Sequence, residues 1–441
     1  MPDHLQVGID FALRNVVLHL AAPDGRALAS HRTYSNAVSG YAEAKQLLCT
    51  TLQKQGYTGL DIAGEATNTY WLPFFLQLAG DADLAPYQPR LVLLNPRWVA
   101  WYKKSCGPEN KTDATDAYYI EEKLRTQRPA AGWTPQLETL PLRSYTRLRF
   151  HLAQHLAGEK CYYLSQLFII ASAYGQQKPF SDLFGPTSRQ VLQHWDVTGA
   201  LSDEALADLL DEWSHGRLSD PLATARKVAT AHQESFAVPA ALERAVQRAL
   251  EVTLSGIAAV EAQIAQVDQW IAEESVAHSG VSMLATIGGL GPVFSSGIVA
   301  ELGDIERFRT GEKWDKGRQR MRSRNLRDAE DAVAKIAGLW WPQNASGQFA
   351  AEDRKMSKAG NHYLRYYLIQ AANQMRQRVP EYQRFYEQKF NEASRHQHRR
   401  ALVLTARKAV GLIVGLLHRD EPYRSEEDRR TQTTPQHPAD P

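Results

Sequence analysis

Four acidic residues fall where a chain of alternating strands and helices would gather them. Asp10 closes an apolar run that starts at Leu5, Glu65 follows the run Gly59 to Gly64, and Asp113 and Asp116 stand near the start of a helical pattern. The three-residue spacing of the last two puts them on one helical face. Carboxylates drawn together repel one another unless a divalent cation neutralises them, and hard Mg2+ takes oxygen ligands. Two such ions about 3.5 to 4 Å apart can activate a nucleophile and stabilise a leaving oxygen in phosphoryl transfer. Taken singly, each residue has a plainer reading as a helix cap or a solvated charge. Asp113 follows Lys111-Thr112 and suits the opening of a helix, where a carboxylate is favourable without any metal.

The elements that must position these residues are legible in the hydrophobic pattern. Leu5 to Asp10 reads as a short buried strand, and Val16 to Ala21 and Ala27 to Tyr34 flank the turn signal Pro23-Asp24-Gly25. Ser39 to Gln55 has helical periodicity, Gly59 to Gly64 is a strand, Asn68 to Leu78 a helix, Pro89 to Leu94 a strand and Asp113 to Thr126 a helix. An opening hairpin followed by alternating strands and helices predicts an α/β domain over residues 1–132. A proline-punctuated connector leads to two long helices, Ser144 to Ala173 and Ala240 to Glu274. The second carries Leu242, Val246, Leu250, Thr253, Ile257, Val260, Ile264, Val267 and Ile271 at three- and four-residue spacing, a coiled-coil or helical-hairpin stripe. That stripe serves equally for packing within one subunit and for self-association. Residues 133–279 are therefore expected to form a helical, coiled-coil middle with a mixed insertion over residues 176–238. Residues 280–420 are expected to form a mostly helical third domain, and 421–441 a polar, disordered tail.

The wording around the acidic residues is more specific than their spacing. Val7-Gly8-Ile9-Asp10, Gly64-Glu65-Ala66-Thr67-Asn68-Thr69-Tyr70, Asn95-Pro96 and Asn110-Lys111-Thr112-Asp113-Ala114-Thr115-Asp116-Ala117 occur in that order. Later come Leu284-Ala285-Thr286-Ile287-Gly288-Gly289-Leu290-Gly291-Pro292, Ala300-Glu301-Leu302-Gly303-Asp304-Ile305, Arg307-Phe308, Ala337-Gly338-Leu339, Pro342, Ala345-Ser346-Gly347, Lys355-Met356-Ser357-Lys358-Ala359-Gly360-Asn361 and Leu364-Arg365. Together they resemble the DEDD insertion-sequence transposases of the IS110 family, the bridge-RNA-guided recombinases, over about two thirds of the chain. The resemblance implies an RNase H-like, RuvC-like first domain with Asp10, Glu65, Asp113 and Asp116 as a tetrad for Mg2+ or Mn2+. It implies a C-terminal transposase domain in which Ser346 attacks a DNA phosphodiester, with the working site assembled between subunits of a dimer or tetramer. A hydroxyl is weak at neutral pH and needs a metal or base beside it; a serine–DNA ester would keep the energy of the broken bond for rejoining. The segment Thr310 to Val333 is longer and more basic here than in compact members of the family.

Basic residues are strongly segregated. Between Arg307 and Arg327 there are nine (Arg307, Arg309, Lys313, Lys316, Arg318, Arg320, Arg322, Arg324 and Arg327) against the two acidic residues Glu312 and Asp315, a local charge of +7. Such density attracts phosphates through counterion release; a solvated basic helix is the competing reading. Arg354, Lys355, Lys358 and Arg365 form a second set close to Ser346, and Arg97, Lys103, Lys104 and Lys111 lead into the acidic helix with Trp98, Trp101 and Tyr102 interleaved. Aromatic and basic residues together suit single-stranded or guide-RNA contacts. Ile287-Gly288-Gly289-Leu290-Gly291 resembles a helix-hairpin-helix turn, in which glycines let backbone amides approach a phosphate, and reads equally as a tight interhelical turn.

Composition bounds the partners. With 43% hydrophobic residues in 441, the chain is too apolar to be disordered and long enough for two or three domains. The scattered Cys49, Cys106 and Cys161 support neither a disulfide framework nor a thiolate zinc site, so a reducing, cytoplasmic setting is expected; the family resemblance implies a prokaryotic cell and association with its nucleoid. No membrane is expected, since the most apolar late run, Ala401 to Leu417, is broken by Arg407 and Lys408. The expected partners are target and donor DNA, a structured guide RNA and further copies of the chain. Two other readings stay open: a DNA invertase or junction-resolving nuclease without guide RNA, and a nucleic-acid-binding scaffold without chemistry.

Overall fold

The computed structural model describes residues 3–106, 113–127, 137–315, 317–342, 345–346, 349–350 and 356–425, with the backbone alone for 113, 114, 345, 346, 349 and 350. The chain opens with β1 (His4–Phe11), β2 (Asn15–Ala21), β3 (Ala27–Ser35), α1 (Val38–Gln55), β4 (Gly59–Glu65), α2 (Leu72–Gly80), β5 (Arg90–Leu94), α3 (Pro96–Cys106) and α4 (Asp113–Gln127). The helices α5 (Leu140–Ile170), α6 (Tyr174–Gln177), α7 (Pro186–Gln193), α8 (Trp195–Thr198), α9 (Asp203–Ser214), α10 (Pro221–Glu234), α11 (Ala240–Ser275), α12 (Ser279–Ala285) and α13 (Pro292–Leu302) follow. After them come β6 (Glu312–Asp315), β7 (Arg320–Ser323), α14 (Leu326–Ala337), β8 (Ala345–Ser346), β9 (Phe349–Ala350), α15 (His362–Arg378), α16 (Pro380–Asn391) and α17 (Gln397–Arg419).

These elements form two compact units. The first joins residues 1–139 to 303–365, the second 140–302 to 366–441. They do not follow the linear division expected from the sequence: the segment after α13, with the basic stretch and the Ser346 region, groups with the N-terminal sheet. Hydrophobic periodicity reports which local face is apolar and carries no information about which distant segment covers it.

In the first unit a five-stranded sheet has the order β3-β2-β1-β4-β5, with β1, β4 and β5 parallel and β2 and β3 antiparallel. Helices cover both faces, so the parallel strands read as continuous apolar runs. On one face Leu5, Val7 and Ile9 pack with Tyr41, Ala44, Leu48 and Leu52 of α1 and Phe74, Phe75 and Leu78 of α2. On the other, Ala63, Val92 and Leu94 pack with Val99 of α3 and Ile120 and Leu124 of α4. The expected α2 start at Asn68 moves to Leu72. Asn68 takes a left-handed φ of 50°, which asparagine tolerates, and the Leu72 N–H is already turned to the Thr69 carbonyl.

The second unit is helical. Tyr145 meets Trp270, Arg149 pairs with Asp268 and Lys160 with Glu261, so α5 and α11 run antiparallel. Val246, Leu250, Thr253, Ile257, Val260, Val267 and Ile271 of the stripe are buried within this chain, which is the packing role; Leu242 is 43% exposed. The insertion folds as α6 to α10, whose Trp195, Leu206, Leu210 and Val228 share a core with Val246, Leu250 and Ile257. Helix α17 is long and apolar enough to cross a membrane, yet half of that window is buried, packed on α16 and α12. The tail expected to be disordered from Glu421 begins with a contact to the end of α12, where the Tyr423 N–H donates to Thr286 Oγ1 at 2.8 Å. Residues 426–441 lie outside the described residues.

Candidate functional site

Asp10 and Glu65 end up side by side at one edge of the sheet. β1 and β4 are parallel, with Gly8 opposite Ala63 and Ile9 opposite Gly64, so the register carries Asp10 to Glu65. Alternation gives Asp10 the face of Gly8 and Glu65 the face of Ala63. That is the α4 face: a Cβ on Gly8 would stand 2.2 Å from the Ala117 carbonyl oxygen, and Ala63 packs with Ile120. Helix α4 runs against β1, since its later residue Arg125 lies at Gly25, beyond the other end of the strand. Its first turn, with Asp113 and Asp116, is therefore directed toward the Asp10 and Glu65 end. Both strand carboxylates are half-buried, and Glu65 Oε1 accepts a hydrogen bond from Thr67 Oγ1 at 3.2 Å.

Asp116 already holds a cation. Lys103 of α3 donates its ammonium to the Asp116 carboxylate, and both side chains are largely shielded, at 23% and 15% exposure. Lys103, expected on a nucleic-acid surface, is thus engaged with an acidic residue; Lys104 beside it is exposed. Among the described residues no group of three or more His, Cys, Asp or Glu side chains converges as metal ligands do, and the Asp113 side chain lies outside them. The donor set is all carboxylate and fits a hard divalent cation in its chemistry.

A further carboxylate, Glu121, went unremarked in the sequence because no motif marks it. It sits one turn beyond Ala117, against Gly8, with its side chain 1% exposed. Burial pushes its carboxyl up to about 7, against the pull of Arg125, which donates to Oε1 at 2.9 Å.

The family-like motifs after α13 largely build a loop. Gly338 caps α14 with a φ of 70°, and a Cβ there would meet Arg365 Nη1 at 2.8 Å. Gly360, with φ 132°, lies so close that a Cβ would stand 2.1 Å from the Ile336 carbonyl oxygen. Asn361 donates its N–H to the same carbonyl at 2.6 Å, and its Oδ1 accepts from the Tyr363 and Leu364 N–H groups as the cap of α15. Arg365 donates to the carbonyls of Ala337 and Lys358, at 3.0 and 3.1 Å. Partial burial, and then the positive charge of Arg97, holds its guanidinium below the ordinary arginine range. Arg97 opens α3, where its N–H is capped by Asn95 Oδ1, so the Arg365 end of this loop and the start of α3 lie within electrostatic reach of each other in one unit. Lys358 is exposed, with a left-handed φ of 52°. The Ser346 backbone forms a rung with Phe349 in the β8–β9 ladder; its side chain, and all of Lys111, Arg354 and Lys355, lie outside the described residues.

The basic stretch is a β-hairpin and not the helix that competed for it. Gly311, with φ 87°, precedes β6, and Asp315 Oδ1 accepts the Gly317 and Arg318 N–H groups to open the turn. Lys313 and Arg322 both bind Asp328, and Arg309 binds Glu306. Arg318 and Arg320 are exposed and Arg324 is half-exposed. Lys316 lies outside the described residues.

The comparisons with known proteins meet this geometry at both halves of the first unit. No curated protein matches the chain. One transposase family model, of the DEDD type, matches residues 7–170 and so takes in the sheet, α4 and the acidic edge. A second, described as a transposase of the IS116/IS110/IS902 family, matches residues 320–387, from β7 through the Ser346 region to α16. A DEDD transposase domain is RNase H-like, as the five-stranded mixed sheet with helices on both faces is, and the DEDD type implies use of a divalent metal in general. With an acidic N-terminal domain and a C-terminal transposase segment matched in their proper order, the chain belongs to the IS110 family of insertion-sequence transposases.

Proposed function

We propose that this transposase is an RNA-guided recombinase that cuts and rejoins target and donor DNA through a transient ester to Ser346. The observation that carries the reading is the make-up of the first unit, in which one compact body combines the acidic sheet edge with the segment bearing Ser346. The Arg97 and Arg365 guanidiniums, each from one of these parts, add a local positive field suited to a DNA backbone.

In the proposed step the Ser346 hydroxyl oxygen forms a bond to a backbone phosphorus while the bond from that phosphorus to the departing sugar oxygen breaks. The hydroxyl gives up its proton and the departing oxygen takes one up, so the phosphodiester is exchanged rather than hydrolysed. Reversal by a hydroxyl of another strand rejoins the DNA without an external energy source. A divalent cation held by Asp10, Glu65, Asp113 and Asp116, Mg2+ or Mn2+, would supply positive charge at the phosphate. Lys104, Lys111, Arg318, Arg320, Arg324, Arg354, Lys355 and Lys358 would hold nucleic acid, and Arg365 would position the loop that they flank. The family resemblance adds a structured guide RNA that pairs with both DNAs, a tetramer in which strands exchange, and work at the nucleoid.

The test is the covalent adduct. Ser346→Ala should abolish any protein–DNA ester while RNA binding persists, and an adduct that survives the change overturns the serine assignment. Asp10→Asn should abolish cleavage at saturating Mg2+. Sequencing the RNA that co-purifies after expression with the native flanking DNA separates a guided recombinase from an invertase or nuclease that reads DNA by protein contacts alone. A scaffold without chemistry would bind nucleic acid equally well in chelator.

A further inference from the structure

The β6–β7 hairpin has two faces of opposite character. Strand pairing sets Lys313 opposite Arg322 and Asp315 opposite Arg320 on one face, and Trp314 opposite Met321 on the other. The first face is anchored: Lys313 and Arg322 reach Asp328 at 2.7 and 2.5 Å, and Asp328 closes the capping box of α14 with Asn325. The second face is left open. Trp314 is 53% and Met321 50% exposed, and Trp314 makes no ring or cation contact among the described residues. Arg318 and Arg320 stand exposed at the hairpin end, and Asp315 is taken up by the turn amides and by Arg322 at 3.8 Å.

A flat indole held on an anchored hairpin, with the exposed Arg318 in the adjoining turn, matches a ligand that is polyanionic and has uncovered aromatic faces. Two apolar side chains are far too small a patch for a protein partner, which needs about 800 Å2 on each side. A closed double helix offers charge but hides its base faces in the stack. An unpaired base offers both, because every base has a π-face for an aromatic platform and carries its own phosphate. We propose that Trp314 stacks on an unpaired base of single-stranded DNA while Arg318, exposed in the turn, holds a flanking phosphate, with Met321 beside Trp314 on the same face. This rests on the reading of the chain as a DNA-acting enzyme and assigns the inserted hairpin to a strand opened during the reaction.

The experiment is binding of a labelled mixed-sequence single-stranded DNA, the matching duplex and the matching single-stranded RNA to the full chain, by fluorescence anisotropy. Trp314→Ala should weaken single-stranded DNA binding about 5- to 150-fold, the range for one stacked base, and change duplex binding less than twofold. Trp314→Phe should recover most of the loss. Arg318→Ala should lower the salt dependence of binding, which Trp314→Ala leaves alone. Unchanged binding by Trp314→Ala, an equal loss on single strand and duplex, or a loss on RNA alone overturns the stacking role. A wild-type chain that binds no DNA overturns the functional reading itself. Trp314 is exposed, so the melting temperature of Trp314→Ala, read alongside, should match the wild type.

Discussion

Gly8 of β1 lies so close beneath the carbonyl of Ala117 that a Cβ on it would stand 2.2 Å from that oxygen and 2.5 Å from the Glu121 nitrogen. Both obstacles are backbone of α4, which cannot swing aside as a side chain would. Gly8→Ala should therefore lift the helix from the sheet and cost about 1–3 kcal/mol, as overpacking does. The loss should appear as a lower denaturant midpoint with an unchanged m-value, and it should also weaken any function that needs Asp10 and Asp116 close together. A midpoint equal to wild type would show that α4 does not rest on β1.

Lys103 competes for the carboxylate that a metal would need. Lys103→Met removes the ammonium from Asp116 while keeping the aliphatic stem, so Mn2+ should bind several-fold more tightly, measured by titration calorimetry on the full chain. Weaker Mn2+ binding in Lys103→Met would show instead that Lys103 orients the acidic set.

Glu121 makes stability depend on pH in a direction of its own. Its folded carboxyl, at about 7, is raised above the ordinary value of 4.5, so the folded state holds the proton more strongly than the unfolded state does. The contribution is fully present below about 4.5 and is lost as pH rises through 7. Its ceiling is on the order of 3 kcal/mol. Glu121→Gln, which mimics the protonated form, should flatten this part of the profile between pH 5 and 7.5 and leave the chain more stable than wild type at pH 8. Parallel profiles for the two proteins would remove Glu121 as the source.

Gly360 is the tightest point of the loop that follows the Ser346 segment. Its φ of 132° is strained for any other residue, and a Cβ would collide with the Ile336 carbonyl at 2.1 Å. Gly360→Ala should cost about 1–3 kcal/mol. It should also reduce recombination more than an exposed change such as Lys104→Ala. Wild-type recombination by a folded Gly360→Ala chain would separate the loop from the serine segment.

The sheet and its flanking helices were legible because the local signals agree: the Pro23-Asp24-Gly25 turn between β2 and β3, and apolar runs in strands covered on both faces. Asp10 and Glu65 were legible as strand ends, and their shared α4 face follows from register once β1 and β4 are paired. The attachment of Lys103 to Asp116 was not legible, since an ion pair between two helices leaves no periodic trace. The burial of Glu121 was hidden for the same reason: Gly8, more than a hundred residues earlier in the chain, does not announce which helix it admits. The hairpin form of the basic stretch was not legible because composition reports charge and not conformation; Gly311 and the Asp315 turn decide for it. Asn361 and Gly360 belong to the motif that carries the family resemblance, and in the structure Asn361 caps α15 while Gly360 lets the loop touch α14.

The first unit is written in two separated pieces, residues 1–139 and 303–365, with most of the second unit between them. Translation at about 5 to 20 residues per second therefore puts roughly 8 to 30 s between the emergence of the acidic sheet and that of the segment that completes its unit. A nascent or prematurely ended chain can own the carboxylates without the serine, never the serine without the carboxylates. Under the mechanism proposed above, a chain must therefore be made past the second piece of the first unit before it holds both halves of its chemistry.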